Sequence, residues 1–575
     1  MYTKLRYILI ATVLLLAYLA ALVIYQVPYA WLVPVGIGIA MLYRKTRRYT
    51  AYGTARWADA NDIPHMVEGG GSGLIVGHIE GKPTLLRGVL ALFDSRFSAK
   101  AACQKLLMAC QRKQQKFLVR LTRAVHLAVF APTSVGKGIS CIIPFLKTCN
   151  ESSVVVDFKG ENYKRTSHDR RRMGHQVVCL DLFNTVTQTP DSFNPLQFID
   201  KESRHAIDDC RDLAAALVVR TGEEKEPFWN DGAEIWIGAM IAFIVCYGNE
   251  TNKNLQSVRE LLANRALYQE AIKKMCASDM WEGMLARLGH QLCQFVDREL
   301  GSVLTTANRH LRFLDTLAVA DNTGGQSSFD PADLLKGKMT VYLVIPPEHL
   351  RAQVPLLRLW IGSLLRAVVK GGLQEKTKVH FVLDEAASLG HMDALDDAVD
   401  KFRGYGVRLQ FYFQSLGQLA KLGKEGQDQT LLSNVTQVFF GVNDPQTAEY
   451  VSNRLGEETI IVESGGTSSS VSRSPSPQGG SNCSYSTSTS DNWQQLGRKL
   501  LKPEEVTALS ERVALTFAPG LPPICTRLVR YYENDFGLPQ GLPPMKAAFD
   551  SACLFVTASI LAVWWTAALF YHTFR

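Results

Sequence analysis

HLAVFAPTSVGKG, residues 126–138, and the ISCIIPFL that follows it at 139–146 carry the most information in this chain. An apolar run reads as a strand, a glycine-bearing turn interrupts it, and an apolar helix then begins. That is the setting in which a phosphate-binding loop works. The backbone N–H groups of Thr133, Ser134, Val135, Gly136, Lys137 and Gly138 would wrap a β-phosphate. The first helical amides, from Ile139 on, add the positive end of the helix dipole. Lys137 would reach the β- and γ-phosphates as a point charge. The pattern G-x(4)-G-K-[ST] is met with two departures. Ala131 stands where the first glycine would be, and Gly138 stands where a hydroxyl would ligate Mg²⁺.

Further along, VHFVLDEAASLG at 379–390 is an apolar strand that ends in two acids. Adjacent carboxylates at the end of a buried strand are costly unless a cation or polar site receives them. We expect Asp384 to hold Mg²⁺, Glu385 to act as general base on water, and this strand to lie directly beside the loop-bearing strand. Gln414 ends the next strand, where it would sense the γ-phosphate or the water. Lys159 and Glu161 follow another strand, and Arg403 and Arg408 flank a turn from which a neighbouring subunit would be reached. Seven runs read as strands: 126–132, 153–158, 175–181, 339–346, 379–385, 408–414 and 437–442. Most are unbroken apolar runs, which predicts a parallel sheet covered on both faces. RVALTFA and TRLVRYYE, near the end, read as further strands.

The 575 residues exceed one domain, and the 47% apolar content rules out a disordered chain. A net charge of +8 permits contact with nucleic acid or anionic lipid without requiring it. The cysteines form no CxxC pair, which argues against a zinc ribbon and for reduced thiols. Tyr7–Tyr25 and Tyr29–Tyr43 read as a membrane hairpin. Lys4 and Arg6 before it, and Arg44, Lys45, Arg47 and Arg48 after it, place both ends in the cytoplasm. Cys553–Tyr571 is uncharged and reads as a terminal span. Domains are expected at 1–49 (membrane hairpin), 50–202 and 326–545 (the two parts of a nucleotide-binding domain), 203–325 (an all-helical insertion) and 546–575 (the terminal span). Within the second part, the Ser-rich stretch 464–492 is expected to be a mobile loop. The basic clusters at Lys100–Arg123 and Lys164–Arg172 read as solvated helix faces.

Taken in order, YGTARWAD (52–59), HLAVFAPTSVGKG, VVVDFKGENY, FNPL (193–196), EPFWNDGAE (226–234), LDEAASLG, QSLGQL, NVTQVFFGVNDPQTAEYVSNRLG (434–456) and RKLLKPEEV (498–506) resemble the TraG-like coupling ATPases of type IV secretion. The resemblance implies an α/β fold: a RecA-like nucleotide-binding domain with an all-α domain inserted. It implies an inner-membrane anchor, a cytoplasmic body and a homohexameric ring. It also implies use of ATP and Mg²⁺ to pass DNA–relaxase complexes or protein effectors to the secretion channel proteins, with Lys137, Glu385 and Gln414 catalytic. The family's own loop variant matches the GKG ending, which leaves Ser140 or water to replace the hydroxyl. Two features depart from the resemblance, the very short outer turn of the membrane hairpin and the terminal span. An FtsK-like translocase, or a receptor that binds ATP only to assemble, are the alternatives.

Overall fold

Each of the seven apolar runs contains a strand of the parallel part of one mixed sheet. In chain order the strands of the structure, a computed structural model, are β1 (Leu74–Gly81), β2 (Gln115–Leu121), β3 (Leu127–Phe130), β4 (Ser152–Asp157), β5 (Gln176–Asp181), β6 (Met339–Val344), β7 (Val379–Leu383), β8 (Val407–Phe413), β9 (Thr436–Phe440), β10 (Glu457–Pro475), β11 (Ser481–Lys499), β12 (Val513–Phe517) and β13 (Ile524–Arg527). The described residues are 51–60, 62–67, 72–81, 115–220, 226–421, 427–475 and 481–533. Both expected membrane segments, 1–49 and 546–575, lie outside them. The helices Phe228–Tyr247 and Pro347–Lys370 are also long and apolar enough to span. They bury Trp236 and Trp360, respectively, inside the body.

The main sheet has eleven strands in the order β2-β1-β13-β12-β9-β3-β8-β7-β4-β6-β5. From β9 to β5 every pairing is parallel. Strands β3, β4, β6, β7 and β9 are buried at every residue, as expected when helices cover both faces. From β9 to β2 the pairings turn antiparallel. One expectation fails here: β7 is not beside β3, because β8 pairs with both. The strand ending at Gln414 therefore separates the loop from the acids.

Between β5 and β6, the described residues from Ala206 to Thr323 form helices and no strand. Asn194 of FNPL ties the base of this segment. Its Nδ2 donates to Lys253 O at 2.9 Å and to Gly325 O at 3.2 Å.

Several readings need correction. Within Lys100–Arg123, residues 115–121 form a strand rather than a helix face. Phe117, Val119 and Leu121 pack inward at period two, with Lys116 and Arg120 between them. On helix Glu161–Arg172, Lys164, Arg165, Arg171 and Arg172 are exposed, but Arg170 is fully buried. It shares a face with Asn162 and Thr166 at four-residue spacing. Its guanidinium donates to the carbonyls of Leu146 and Cys149, at the end of helix Ile143–Thr148. A cation there matches the negative end of that helix. In TRLVRYYE the strand stops at Arg527, and the chain turns so that Tyr531 N donates to Ile139 O at 3.0 Å.

The described residues divide into two compact units, 51–55 with 456–500 and 56–455 with 501–533. The first contains the ribbon β10–β11, paired from Glu457↔Lys499 to Pro475↔Ser481. Most of 464–492 is therefore antiparallel ribbon and not an irregular loop. Its polar composition denies it a core, but backbone pairing needs none, and its Thr, Val and Tyr residues favour extended backbone. Thr459 Oγ1 accepts from the amides of Tyr52 and Gly53, securing the ribbon's base.

Candidate nucleotide site

The parallel strands deliver their carboxyl ends to one edge, which is where α/β sheets bind ligands. At the end of β3, Ala131 N continues the ladder to Phe413 O at 3.0 Å. Phe130 stacks between Phe413 and Phe439, at 5.4 and 4.8 Å between ring centroids, so three strand ends are locked together under the loop. Thr133 and Ser134 are exposed. Ser134 and Gly136 both have positive φ, 70° and 105°, and the loop closes through them. At Gly136 a side chain would be strained and would press on Ile139. Val135 packs its side chain into the core, leaving its amide for the loop. A π-type turn, Gly138–Ile142, starts the helix that continues as Ile143–Thr148.

Lys137 is 8% exposed. Its Nζ donates to Ala131 O at 2.8 Å and lies 3.6 Å from Glu385 Oε1. Gln414 Nε2 donates to Glu385 Oε2 at 3.0 Å. Three residues chosen from sequence on three different strand ends thus meet at one carboxylate. Glu385 also has left-handed backbone, φ 49° and ψ 48°, a sparsely populated conformation for a residue with a side chain.

Asp384 accepts from Glu385 N at 3.1 Å. Burial first, and the neighbouring Glu385 second, push its carboxyl up to about 6. Asp157 adds to the same negative field. It was not singled out from sequence. Its own carboxyl is also pushed up to about 6 by burial, although Tyr163 N donates to its Oδ2 at 2.9 Å. The signal was the acid ending VVVD, overlooked beside Lys159 and Glu161, both of which are exposed. A buried carboxyl raised by two neighbouring acids belongs to a donor set suited to a divalent cation.

Ser140 is 2% exposed, and its Oγ lies on the Gly136 side, beneath the loop. Arg403 and Arg408 fall at the opposite end of β8 from Gln414. Roughly 20 Å of strand separates them from this chain's own phosphate loop. Arg408 Nη1 donates to the carbonyls of Arg403 and Val407.

Residues 95–560 match the family described as Type IV secretory system Conjugative DNA transfer. Protein VirD4 of Rhizobium radiobacter is 28% identical over 448 residues, covering 74% of this chain and 61% of that protein. The conjugal transfer protein TraG of Rhizobium radiobacter is 28% identical over 426 residues, covering 72% and 63%. The matched region thus spans about three fifths of these relatives. The unbound conjugative coupling protein TrwBdeltaN70 superimposes with a TM-score of 0.53 at 19% identity, over 72% of this chain and 87% of that one. The plasmid coupling protein TrwB in complex with ADP and Mg²⁺ gives 0.52 at 18% identity, over 72% and 88%. These likenesses establish a shared fold. With the family match extending over most of its length, this chain belongs to the type IV secretory conjugative DNA transfer family.

Proposed function

We propose that the chain is an inner-membrane ATPase, its main body cytoplasmic, that works as a homohexameric ring. It would pass DNA–relaxase complexes or protein effectors to the proteins of a type IV secretion channel. The observation that carries this reading is the convergence of Lys137, Gln414 and Glu385 at one strand-end edge. Known complexes of the structural neighbour with ADP and Mg²⁺ are consistent with it.

The amides of the 133–139 turn hold the β-phosphate of ATP. Lys137 moves from Ala131 O and Glu385 to the β- and γ-phosphates, and that transfer releases Glu385 Oε1. Gln414 continues to hold Oε2, so the freed oxygen faces the attacking water and takes its proton. Asp384 would hold Mg²⁺, with Ser140 or water in place of the missing loop hydroxyl. When bound, Mg²⁺ neutralises charge on the β- and γ-oxygens.

The test is ATP turnover by the full chain in lipid nanodiscs, with and without single- and double-stranded DNA. Lys137→Ala is expected to lose nucleotide binding. Glu385→Gln is expected to keep binding while turnover drops roughly 10²-fold or more. Full turnover in Glu385→Gln would overturn the assignment of the base. Stimulation by DNA favours DNA as cargo, and indifference to DNA favours protein.

A further inference from the structure

The acids at the end of β7 are followed by a tight turn, Ala386–Leu389, with unusual backbone at both ends. Glu385 enters it in left-handed conformation, and Gly390 leaves it at φ 65°, ψ −169°. Only glycine adopts the second conformation readily. The turn makes few bonds of its own, Ser388 N to Glu385 O at 2.8 Å and Gly390 N to Ala387 O at 3.4 Å. Something else must hold a strained turn in place, since such conformations persist only where the surroundings over-determine them.

That support comes from Arg358, on helix Pro347–Lys370. It is 5% exposed. Its Nη1 donates to Leu389 O at 2.9 Å and to His391 O at 2.5 Å, the carbonyls on either side of Gly390. No carboxylate pairs with it among the described ion pairs. Burial pulls the guanidinium down to about 10, and Asp393 opposes the shift. A buried arginine spent on two carbonyls of one turn is costly unless the turn's geometry is worth holding. The helix is itself fixed further along. Arg366 Nη2 pairs with Asp212 at 2.6 Å, and Lys370 pairs with the buried Asp209, both in helix Ala206–Leu217 of the helical segment. The catalytic turn and the first helix of that segment therefore share one support.

We propose that Arg358 is a positioning residue for Glu385: by gripping the exit of the turn it fixes the backbone from which the general base projects. The inference rests on the ATPase reading above and adds a residue that no motif marks. A displacement of about 1 Å at the base costs up to 10²-fold in rate. Arg358 lines a groove of about 490 Å³.

The experiment uses the full chain in nanodiscs and measures kcat and KM for ATP separately. Arg358→Lys and Arg358→Ala are expected to lower kcat about 10- to 100-fold and to move KM less than about threefold. Millimolar guanidinium is expected to restore much of the kcat of Arg358→Ala and to do nothing for wild type or Glu385→Gln. A purely structural role would give neither the split nor the rescue. Gly390→Ala reaches the same turn without touching Arg358. No atom lies within 4 Å of a Cβ at Gly390, so only its backbone is strained, and the same fall in kcat is expected. Wild-type kcat in Gly390→Ala and in folded Arg358→Lys would overturn the proposal. Wild-type protein without turnover would overturn the ATPase reading, and this inference with it.

Discussion

Glu385 is the point at which three strands of argument meet: a backbone held in left-handed conformation, an ammonium at 3.6 Å and an amide donor at 3.0 Å. Beside it, Asp384 sets a pH dependence. Its carboxyl is raised from the ordinary 3.8 to about 6, mainly by burial. A raised acid favours its neutral form, so folding loses stability as pH rises from near 4 to near 6. Mg²⁺ binding needs the ionised form and so weakens as pH falls through 6. Mg²⁺ is therefore expected to raise the melting temperature of the nucleotide-loaded chain more at pH 7 than at pH 5. Calorimetry at both pH values checks this, and Asp384→Asn should reduce the difference, leaving the part that Asp157, also raised to about 6, contributes. That Lys137, Glu385 and Gln414 would converge on one strand-end edge was legible from the loop motif and the two strand-end motifs. Arg358 was not. Nothing local distinguishes an arginine that caps a distant turn from one on a helix surface.

At the scale of elements, each of the seven parallel strands could be read from its apolar run, because burial on both faces leaves no other pattern. Strands β1 and β2 were missed. Alternating Lys116 and Arg120 look like a charged helix face until the two-residue period of Phe117, Val119 and Leu121 is noticed. The β10–β11 ribbon was missed because sequence reading looks for buried apolar area, which backbone pairing does not need. Two predictions belong here. Phe130, 1% exposed and stacked against two neighbouring strand ends, should cost about 3–5 kcal/mol on Phe130→Ala; chemical denaturation measures it. Gly138→Ser restores the loop hydroxyl at a position where nothing lies within 4 Å of a new Cβ. It should fold normally and tighten Mg²⁺ binding several-fold, as read by titration with Mn²⁺ as the probe.

For the whole molecule, the ring is a proposal with a simple signature. If neighbouring copies complete the nucleotide site, turnover per chain will rise with protein concentration and plateau as rings fill. Turnover per chain that stays constant across a dilution series reaching free monomer would count against it. The sheet also joins the two ends of the described chain. Val76 of β1 accepts from Thr526 Oγ1 across 450 residues of sequence, and β1 pairs with β13. A ribosome working at about 5–20 residues per second needs on the order of 20–90 s to make that intervening length. For that time the paired strands β1 and β2 wait with an open edge while the parallel sheet beside them is still being synthesised. An unpaired edge is a site for wrong pairing, so the newborn chain is most vulnerable before its last strands emerge. Premature release just short of Ile524 would leave the nucleotide motifs intact in a sheet that has never been sealed.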